Sequence, residues 1–321
     1  MKTPHPRSRL SAGILALLFA LVLPLAGRAD APPAVKLLTV GNSFADNAAV
    51  FLPSFAKAGG KNLVLVKANL PGHSLQQHAS YLQAWQADPA DPKGSPYAAP
   101  AALKAQGKQK VSLADIVASD KWTWITIQQY SALSYKEETY EPYAGLLVDF
   151  LRKNEPGAEI LVQETWAYRE DEPLFRKEGF TQQKMYDQLK ANYEKLAARY
   201  GLRLIPSGDA FQLARATPRW TFVPDAAYDF ANPPEGLLPQ ESGALNQGWS
   251  WQTNKETGRK KLVLDGHHAN VYGQYLIAAV WYETLFKENV EANPFVPPAI
   301  SPEDAAQLRH FAHEAVAARN P

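Results

Sequence analysis

The 321-residue sequence contains no cysteine. Disulfide bonds are therefore excluded, and so is a lipid-modified cysteine after a secretion signal. A chain of this length can bury a large apolar core, and 46% of its residues are apolar. The fold must therefore be held together by that core and not by covalent cross-links.

The sequence also carries little net charge. The whole chain carries a formal charge of +1, and removing residues 1–31, with their four basic residues and one acidic residue, leaves 29 basic and 31 acidic residues, a charge of −2. Proteins that bind nucleic acid carry a concentrated excess of Lys and Arg, which displaces the counterions of the phosphates. The sequence therefore argues against nucleic acid and other polyanions as partners.

The N-terminal segment, residues 1–31, has the pattern of a cleaved secretory signal peptide. Three basic residues come first, an apolar run follows over 12–26, and small residues stand at Ala29 and Ala31. The alternative is an uncleaved membrane anchor, but this run is shorter than the ~20 residues that span a bilayer. We therefore expect a periplasmic or secreted protein with no membrane span after cleavage.

Short apolar runs alternate with segments of helical periodicity along the remaining chain. Strands are predicted at 35–40, 62–69, 122–128, 160–163 and 203–205, and helices at 48–58, 74–85, 112–119, 140–153, 182–200, 270–286 and 302–317. Such alternation is typical of a parallel sheet covered by helices on both faces. We therefore predict a single α/β domain over 32–321, a three-layer α/β/α sandwich with a parallel five-stranded sheet and surface insertions at about 88–110 and 223–261.

The motif Gly41-Asn42-Ser43-Phe44 stands where the first predicted strand meets the first helix. Ligands bind at the carboxyl ends of strands in open parallel sheets, because helix N-termini aim free N–H groups at the crevice there. Ser43 is therefore a candidate nucleophile. Its alternative role is that of an ordinary helix cap.

A second polar motif, Asp265-Gly266-His267-His268, precedes the helix predicted over 270–286. A hydroxyl nucleophile needs a base to accept its proton, and the base needs an acceptor that fixes its tautomer and stabilises the imidazolium. An Asp and a His three residues apart on one turn can supply both groups. The alternative is a polar helix start with two histidines that face solvent.

Taken together and in this order, the two motifs resemble those of the SGNH, or GDSL-like, hydrolase superfamily. In that superfamily a serine in a Gly-x-Ser turn follows the first strand, and an Asp-x-x-His motif lies near the C-terminus. The Gly-Asn-Ser-Phe motif is similar to the nucleophile motif of a divergent branch of this superfamily. The resemblance implies a flavodoxin-like sheet, Ser43 as nucleophile, His268 as base and Asp265 as its partner, with His267 as the rival base because the two histidines are adjacent.

The resemblance also implies an oxyanion hole made by three donors. The N–H of Ser43 and the N–H of Gly72, which follows the second predicted strand, match two of them. In the superfamily the third is an Asn side chain after the third strand, whereas this chain has Gln128 and Gln129 there. A Gln amide can donate the same hydrogen bond from one methylene further out. Either glutamine is therefore a candidate donor, or both only line the pocket.

Aromatic residues follow the fourth predicted strand and also precede the Asp–His turn. Trp166 and Trp251 could stack on sugar rings, which present C–H faces, or they could cover the core. We expect Asn42, Trp166, Trp251 and His267 to contact a substrate.

These features together predict a secreted serine esterase. Its expected substrate is an acetylated polysaccharide or an ester-bearing small molecule, and O-acetyl groups on carbohydrates are the favoured target. No cofactor or metal is expected: the spacing of His310 and His313 can bind a metal, but the sequence offers no third ligand nearby. Two other functions remain open. One is a non-catalytic glycan-binding protein on the same fold, and the other is an acyltransferase that shares the Ser43 chemistry.

Overall fold

A computed structural model describes residues 1–3 and 33–319 of the chain. Apart from its first three positions, the predicted signal peptide lies outside the described residues. Among the helices that the structure describes, none is long and apolar enough to cross a membrane.

The described part of the chain contains nine strands and ten α-helices. The strands are β1 (Val35–Gly41), β2 (Leu63–Asn69), β3 (Tyr97–Ala98), β4 (Lys110–Val111), β5 (Trp124–Ile127), β6 (Glu159–Gln163), β7 (Arg203–Ile205), β8 (Trp249–Thr253) and β9 (Lys260–Leu264). The helices are α1 (Ser43–Ala49), α2 (Leu52–Ala58), α3 (Leu75–Ala87), α4 (Ala101–Lys104), α5 (Leu113–Ala118), α6 (Tyr143–Asn154), α7 (Gln182–Tyr200), α8 (Ser207–Arg215), α9 (Val271–Phe286) and α10 (Pro302–Arg319).

Five of the strands form one parallel sheet in the order β2-β1-β5-β6-β7. Leu37 of β1 pairs with Leu65 of β2 on one side and with Trp124 of β5 on the other. Strand β5 is fully buried, as expected where helices cover both faces of a parallel sheet. The sheet confirms the predicted fold class, and its strand order is the flavodoxin-like one.

Helices form a layer on each face of the sheet. Helices α3, α5 and α6 contact one another in one layer, while α1, α2, α8 and α10 gather around α9 in the other. Helix α9 is consequently buried on almost every side. Because all five strands are parallel, their carboxyl ends meet at a single edge of this sandwich, and the loops that follow them converge there.

The segment predicted as one helix over 48–58 is two helices, α1 and α2. Pro53 occupies the second position of α2. A proline has no N–H to donate, and its ring collides with the carbonyl four residues earlier, so one helix cannot run through this point. Helix α1 also begins earlier than predicted, at Ser43, because Asn42 caps it.

Each predicted insertion contains a small antiparallel pair of strands, β3 with β4 and β8 with β9. Neither pair was predicted. Strand β9 ends at Leu264, immediately before Asp265. The second insertion therefore leads directly into the candidate catalytic turn.

Candidate active site

Strand β1 lies between β2 and β5, so the order of the sheet reverses at this strand. At such a point the connections leave toward opposite faces and open a crevice outside the carboxyl ends of the strands. Ser43 is separated from the end of β1 by one residue. Gly72 follows β2 and Gln128 follows β5, so both lie at the same edge of the sheet.

Asn42 connects the three strand ends that border this crevice. Its Oδ1 accepts hydrogen bonds from the backbone N–H of Phe44 at 3.0 Å and from Nε2 of Gln128 at 2.9 Å. Its Nδ2 donates to the carbonyl of His73 at 2.8 Å. The side chain is fully buried, so the amide expected to contact a substrate has three protein partners instead.

Ser43, His268 and Asp265 form a continuous chain of hydrogen bonds. Oγ of Ser43 lies 2.8 Å from Nε2 of His268. Nδ1 of His268 lies 2.9 Å from Oδ2 and 3.2 Å from Oδ1 of Asp265. An ionised carboxylate can only accept, so it holds the proton on Nδ1 and leaves Nε2 free to accept from the hydroxyl. Of the two adjacent histidines, His268 is the one that faces Ser43.

Asp265 also shapes the turn that carries the two histidines. Its Oδ1 accepts from the backbone N–H of His268 at 3.0 Å and of His267 at 3.4 Å. Burial by itself would raise the pKa of Asp265, but the hydrogen bonds from His268 and the nearby imidazoles outweigh burial and lower this pKa to about 2. The carboxylate is therefore ionised at neutral pH.

Glu172 supports the same turn from the loop after β6, and sequence patterns gave no signal for it. Its Oε1 accepts from the N–H of Gly266 at 2.9 Å and lies 3.4 Å from Nδ1 of His267. A Cβ at Gly266 would come within 2.7 Å of Glu172 Cγ, so glycine permits this close approach. Burial would lower the pKa of His267, but the hydrogen bond to Glu172 and the charges of Asp265 and Glu172 raise it above its usual value.

Arg169, also missed from the sequence, links the turn to the second insertion. Its backbone N–H donates to the carbonyl of Gly266 at 2.7 Å. The guanidinium, whose side chain is only 2% exposed, lies between the carboxylates of Asp171 and Glu241. Asp265 itself donates its N–H to the carbonyl of Gly248 in the insertion at 3.0 Å. The insertion is therefore part of the scaffold of the turn.

The two tryptophans expected at the substrate lie in different environments. Trp166 is fully buried, stacked on Phe44 with ring centroids 4.2 Å apart and on Phe211 at 5.0 Å. Its Nε1 donates to the carbonyl of His267 at 2.8 Å. Trp166 thus covers the core and braces the turn, the alternative that the sequence left open. Trp251 is partly exposed on β8.

The oxyanion candidates also differ in their surroundings. Gly72 lies in an exposed turn with φ +69°, a conformation that favours glycine. Gln129 is fully buried, and its Nε2 donates to both Oγ1 and the carbonyl of Thr139. Gln128 makes one hydrogen bond from its Nε2, to Asn42. A Cβ at position 41 would come within 2.6 Å of Gln128 Oε1, so Gly41 makes room for this side chain.

One group among the described residues could hold a metal ion. Asp265, His267 and His268 each offer one ligand atom, and these atoms lie within 4.8 Å of one another. The histidines on α10 are each bound by a carboxylate: His310 Nδ1 lies 2.8 Å from Glu291, and His313 Nδ1 lies 2.7 Å from Glu283.

Replacing Asn42 by alanine is expected to lower the free energy of unfolding by about 2 kcal/mol or more, because three buried polar groups lose their partner. Urea unfolding of the purified chain measures this change. Asn62→Ala, at an exposed position, is the matched control and should change stability little. If the free energy of unfolding fell no further for Asn42→Ala than for the control, the hydrogen bonds of Asn42 would not hold the three strand ends together.

Asp265→Asn is expected to change how the free energy of unfolding depends on pH. Because the pKa of Asp265 in the folded protein, about 2, is below its ordinary 3.8, the carboxylate stabilises the fold above pH 3.8, and this contribution disappears as the pH falls through 2. The stability advantage of the wild-type chain over Asp265→Asn should therefore shrink over this interval. Denaturant unfolding at a series of pH values measures it.

Asp149→Asn, at an exposed position on α6, controls for the loss of one charge. A difference between wild type and Asp265→Asn that stays constant down to pH 2 would show that the turn does not hold an ionised carboxylate.

Comparisons with known proteins place the chain in a family. The family model described as "Domain of unknown function (DUF4886)" matches residues 36–223. A DUF4886 family protein from Bacteroides uniformis, known from a crystal structure, is 25% identical with a TM-score of 0.67, and the match covers 89% of this chain and 95% of that one.

Other similar structures are more distant. A candidate SGNH hydrolase from Slackia heliotrinireducens is 19% identical with a TM-score of 0.46, covering 79% of this chain and 100% of that one. Axe2, an acetylxylan esterase from Geobacillus stearothermophilus, is 13% identical with a TM-score of 0.43, covering 78% and 94%. No curated protein matches the sequence. Since the DUF4886 model matches more than half of the sequence, this chain belongs to the DUF4886 family.

Proposed function

We propose that this chain is a secreted serine esterase of the SGNH type, with Ser43 as nucleophile, His268 as base and Asp265 as the partner of that base. The observation that carries the proposal is the unbroken chain of hydrogen bonds from Asp265 through His268 to Oγ of Ser43, at the carboxyl end of β1. A capping role for Ser43 does not account for this chain, because the side-chain cap of α1 is Asn42.

The first half of the reaction follows from the tautomer of His268. Nε2 accepts the hydroxyl proton as Oγ of Ser43 attacks the ester carbonyl carbon and forms a tetrahedral intermediate. The imidazolium is stabilised by Asp265, whose lowered pKa keeps it ionised. When the intermediate collapses, His268 gives the proton to the leaving alcohol oxygen, and the acyl group remains on Ser43.

The second half repeats these steps with water. His268 takes a proton from a water molecule that attacks the acyl-enzyme, and then returns a proton to Ser43 Oγ as the carboxylic acid leaves. Charge builds on the carbonyl oxygen in both halves. Donors aimed at that oxygen stabilise the transition state.

We assign these donors to the N–H of Ser43, the N–H of Gly72 and Nε2 of Gln128. The hydrogen bonds of the Asn42 side chain support this assignment, because they hold the turn after Gly72 and the amide of Gln128 close to the start of α1. Gln129 is the weaker candidate, since Thr139 accepts from its amide nitrogen at two oxygens.

The favoured substrates are O-acetyl groups on carbohydrates. Two features support this class: the secretion signal expected at residues 1–31, and the aromatic side chains of Trp249 and Trp251 on the hairpin that leads into Asp265. Aromatic faces suit the C–H faces of sugar rings.

Ser43→Ala is expected to lower the hydrolysis of p-nitrophenyl acetate by at least about 10³-fold, because it removes the nucleophile. Initial rates of the purified mature chain measure this, and a fluorophosphonate probe should add one covalent label to Ser43. Ser119→Ala, a serine at the end of α5 on the opposite edge of the sheet, should keep the wild-type rate. Retention of most activity by folded Ser43→Ala would overturn the assignment of the nucleophile.

Gln128→Ala is expected to lower kcat by about 10²-fold with a smaller change in KM, because an oxyanion donor acts mainly in the transition state. Gln129→Ala should instead lower the melting temperature while the folded enzyme keeps its kcat, since this amide supports the loop that ends at Thr139. Steady-state kinetics and thermal unfolding of both variants separate the two roles. An unchanged kcat for Gln128→Ala would place the third donor elsewhere.

A further inference from the structure

His267 is the residue of the candidate catalytic turn that the reaction proposed for Ser43 does not use. Its ring lies beside that of His268 with centroids 4.3 Å apart, but it is His268 whose Nε2 lies against Oγ of Ser43. Nδ1 of His267 lies 3.3 Å from Oδ1 of Asp265. The same carboxylate holds Nδ1 of His268. Two imidazole nitrogens therefore face one carboxylate.

The separations of these three groups match those of ligands around a tetrahedral zinc ion. Zn–N and Zn–O bonds of ~2.0–2.2 Å place two ligand atoms ~3.3–3.6 Å apart at the tetrahedral angle. Oδ1 of Asp265 lies 3.3 Å from Nδ1 of His267 and 3.2 Å from Nδ1 of His268. One ligand atom of each residue lies within 4.8 Å of those of the other two. Small rotations of the two rings therefore suffice to bind an ion.

The donor set of this group favours one kind of ion. Imidazole nitrogens suit Zn²⁺, whereas Mg²⁺ and Ca²⁺ take oxygen ligands. Two histidines and one carboxylate leave the fourth position of a tetrahedral zinc ion to water. The side chains of the three residues are between 28% and 38% exposed, so an ion and its water reach them from solvent.

Glu172 adds a second negative charge beside the group. Its Oε1 lies 3.4 Å from Nδ1 of His267 and accepts from the N–H of Gly266. Histidines bind a metal as neutral imidazoles. With both rings neutral, the carboxylates of Asp265 and Glu172 carry two negative charges, which match the charge of a divalent cation.

The two histidines on α10 do not form a comparable group. Nδ1 of His310 and Nδ1 of His313 each lie against a carboxylate of their own, from Glu291 and Glu283. Among the residues that the structure describes, three potential ligand atoms converge in the group on the catalytic turn. His310 therefore offers a matched control for His267.

We propose that Asp265, His267 and His268 form an inhibitory zinc site. Zn²⁺ binds to Nδ1 of both histidines and to the carboxylate. The neutral ring of His268 then carries its single proton on Nε2, which can donate to Oγ of Ser43 but cannot accept the proton of that hydroxyl. The binding is independent of the proposed esterase activity, whereas the inhibition rests on it.

Isothermal titration calorimetry tests the binding. ZnCl₂ is titrated into the full mature chain without an affinity tag, and the chain carries Ser43→Ala so that the result does not depend on turnover. We expect one zinc ion to bind per chain. MgCl₂ should give no binding under the same conditions, because Mg²⁺ prefers oxygen ligands and releases its water reluctantly.

Three further substitutions in this background locate the site. His267→Gln should weaken zinc binding at least about tenfold, since losing even an outer partner of a metal ligand costs about that factor. Glu172→Gln keeps an acceptor for the N–H of Gly266 but removes the charge, so it should weaken binding by a smaller factor. His310→Gln, at an exposed position on α10, should leave binding unchanged. Thermal unfolding without zinc checks the fold of each variant.

Hydrolysis of p-nitrophenyl acetate by the chain with Ser43 intact tests the inhibition. ZnCl₂ should lower the rate, EDTA should restore it, and MgCl₂ should have no effect, after subtraction of the rate without protein. Each variant is compared with its own zinc-free rate. The zinc concentration that halves the rate should rise for His267→Gln by the factor measured in calorimetry, and it should not change for His310→Gln.

Three results would overturn the zinc site. The folded Ser43→Ala chain could bind no zinc, it could bind zinc equally tightly with His267→Gln and with His310→Gln, or His310→Gln could be the change that removes binding, which would place the site on α10. Zinc binding with no effect on hydrolysis would overturn the inhibition. A chain that binds zinc as expected but hydrolyses no ester would refute the proposed function and leave the zinc site intact.

Discussion

The buried amide of Asn42 is the interaction on which the geometry of the site depends. It connects the ends of three neighbouring strands, which are far apart in sequence, through one acceptor and one donor group. A buried amide must be fully satisfied, since an unpaired polar group in the interior costs free energy. The positions of Ser43, of the turn after β2 and of Gln128 are therefore set together and not one by one.

The other half of the site is held from outside the sheet. Three supports meet at the turn that carries His267 and His268: the carboxylate of Glu172, the backbone of Arg169 and the indole of Trp166. Arg169 is itself clamped by Glu241 of the second insertion. The insertion thus stabilises the turn.

The close approach of Gly41 and Gln128 determines where the amide of Gln128 lies. Without a Cβ at position 41, the Gln128 side chain lies against the backbone of β1, and its Nε2 reaches Asn42. The two positions are coupled: a glycine at the end of one strand and a glutamine after its neighbour form one structural unit.

The sequence by itself determined the alternation of strands and helices and the two motifs that contain Ser43 and Asp265. These depend on periodicity and on contacts three or four residues apart, which a linear pattern records. It could not separate His267 from His268, because the spacing of adjacent residues does not say which ring faces Ser43. Nor could it find Glu172 or Arg169, or predict the burial of Trp166. Those features depend on contacts between segments 72 to 225 residues apart, and only the packing of the folded chain brings such segments together.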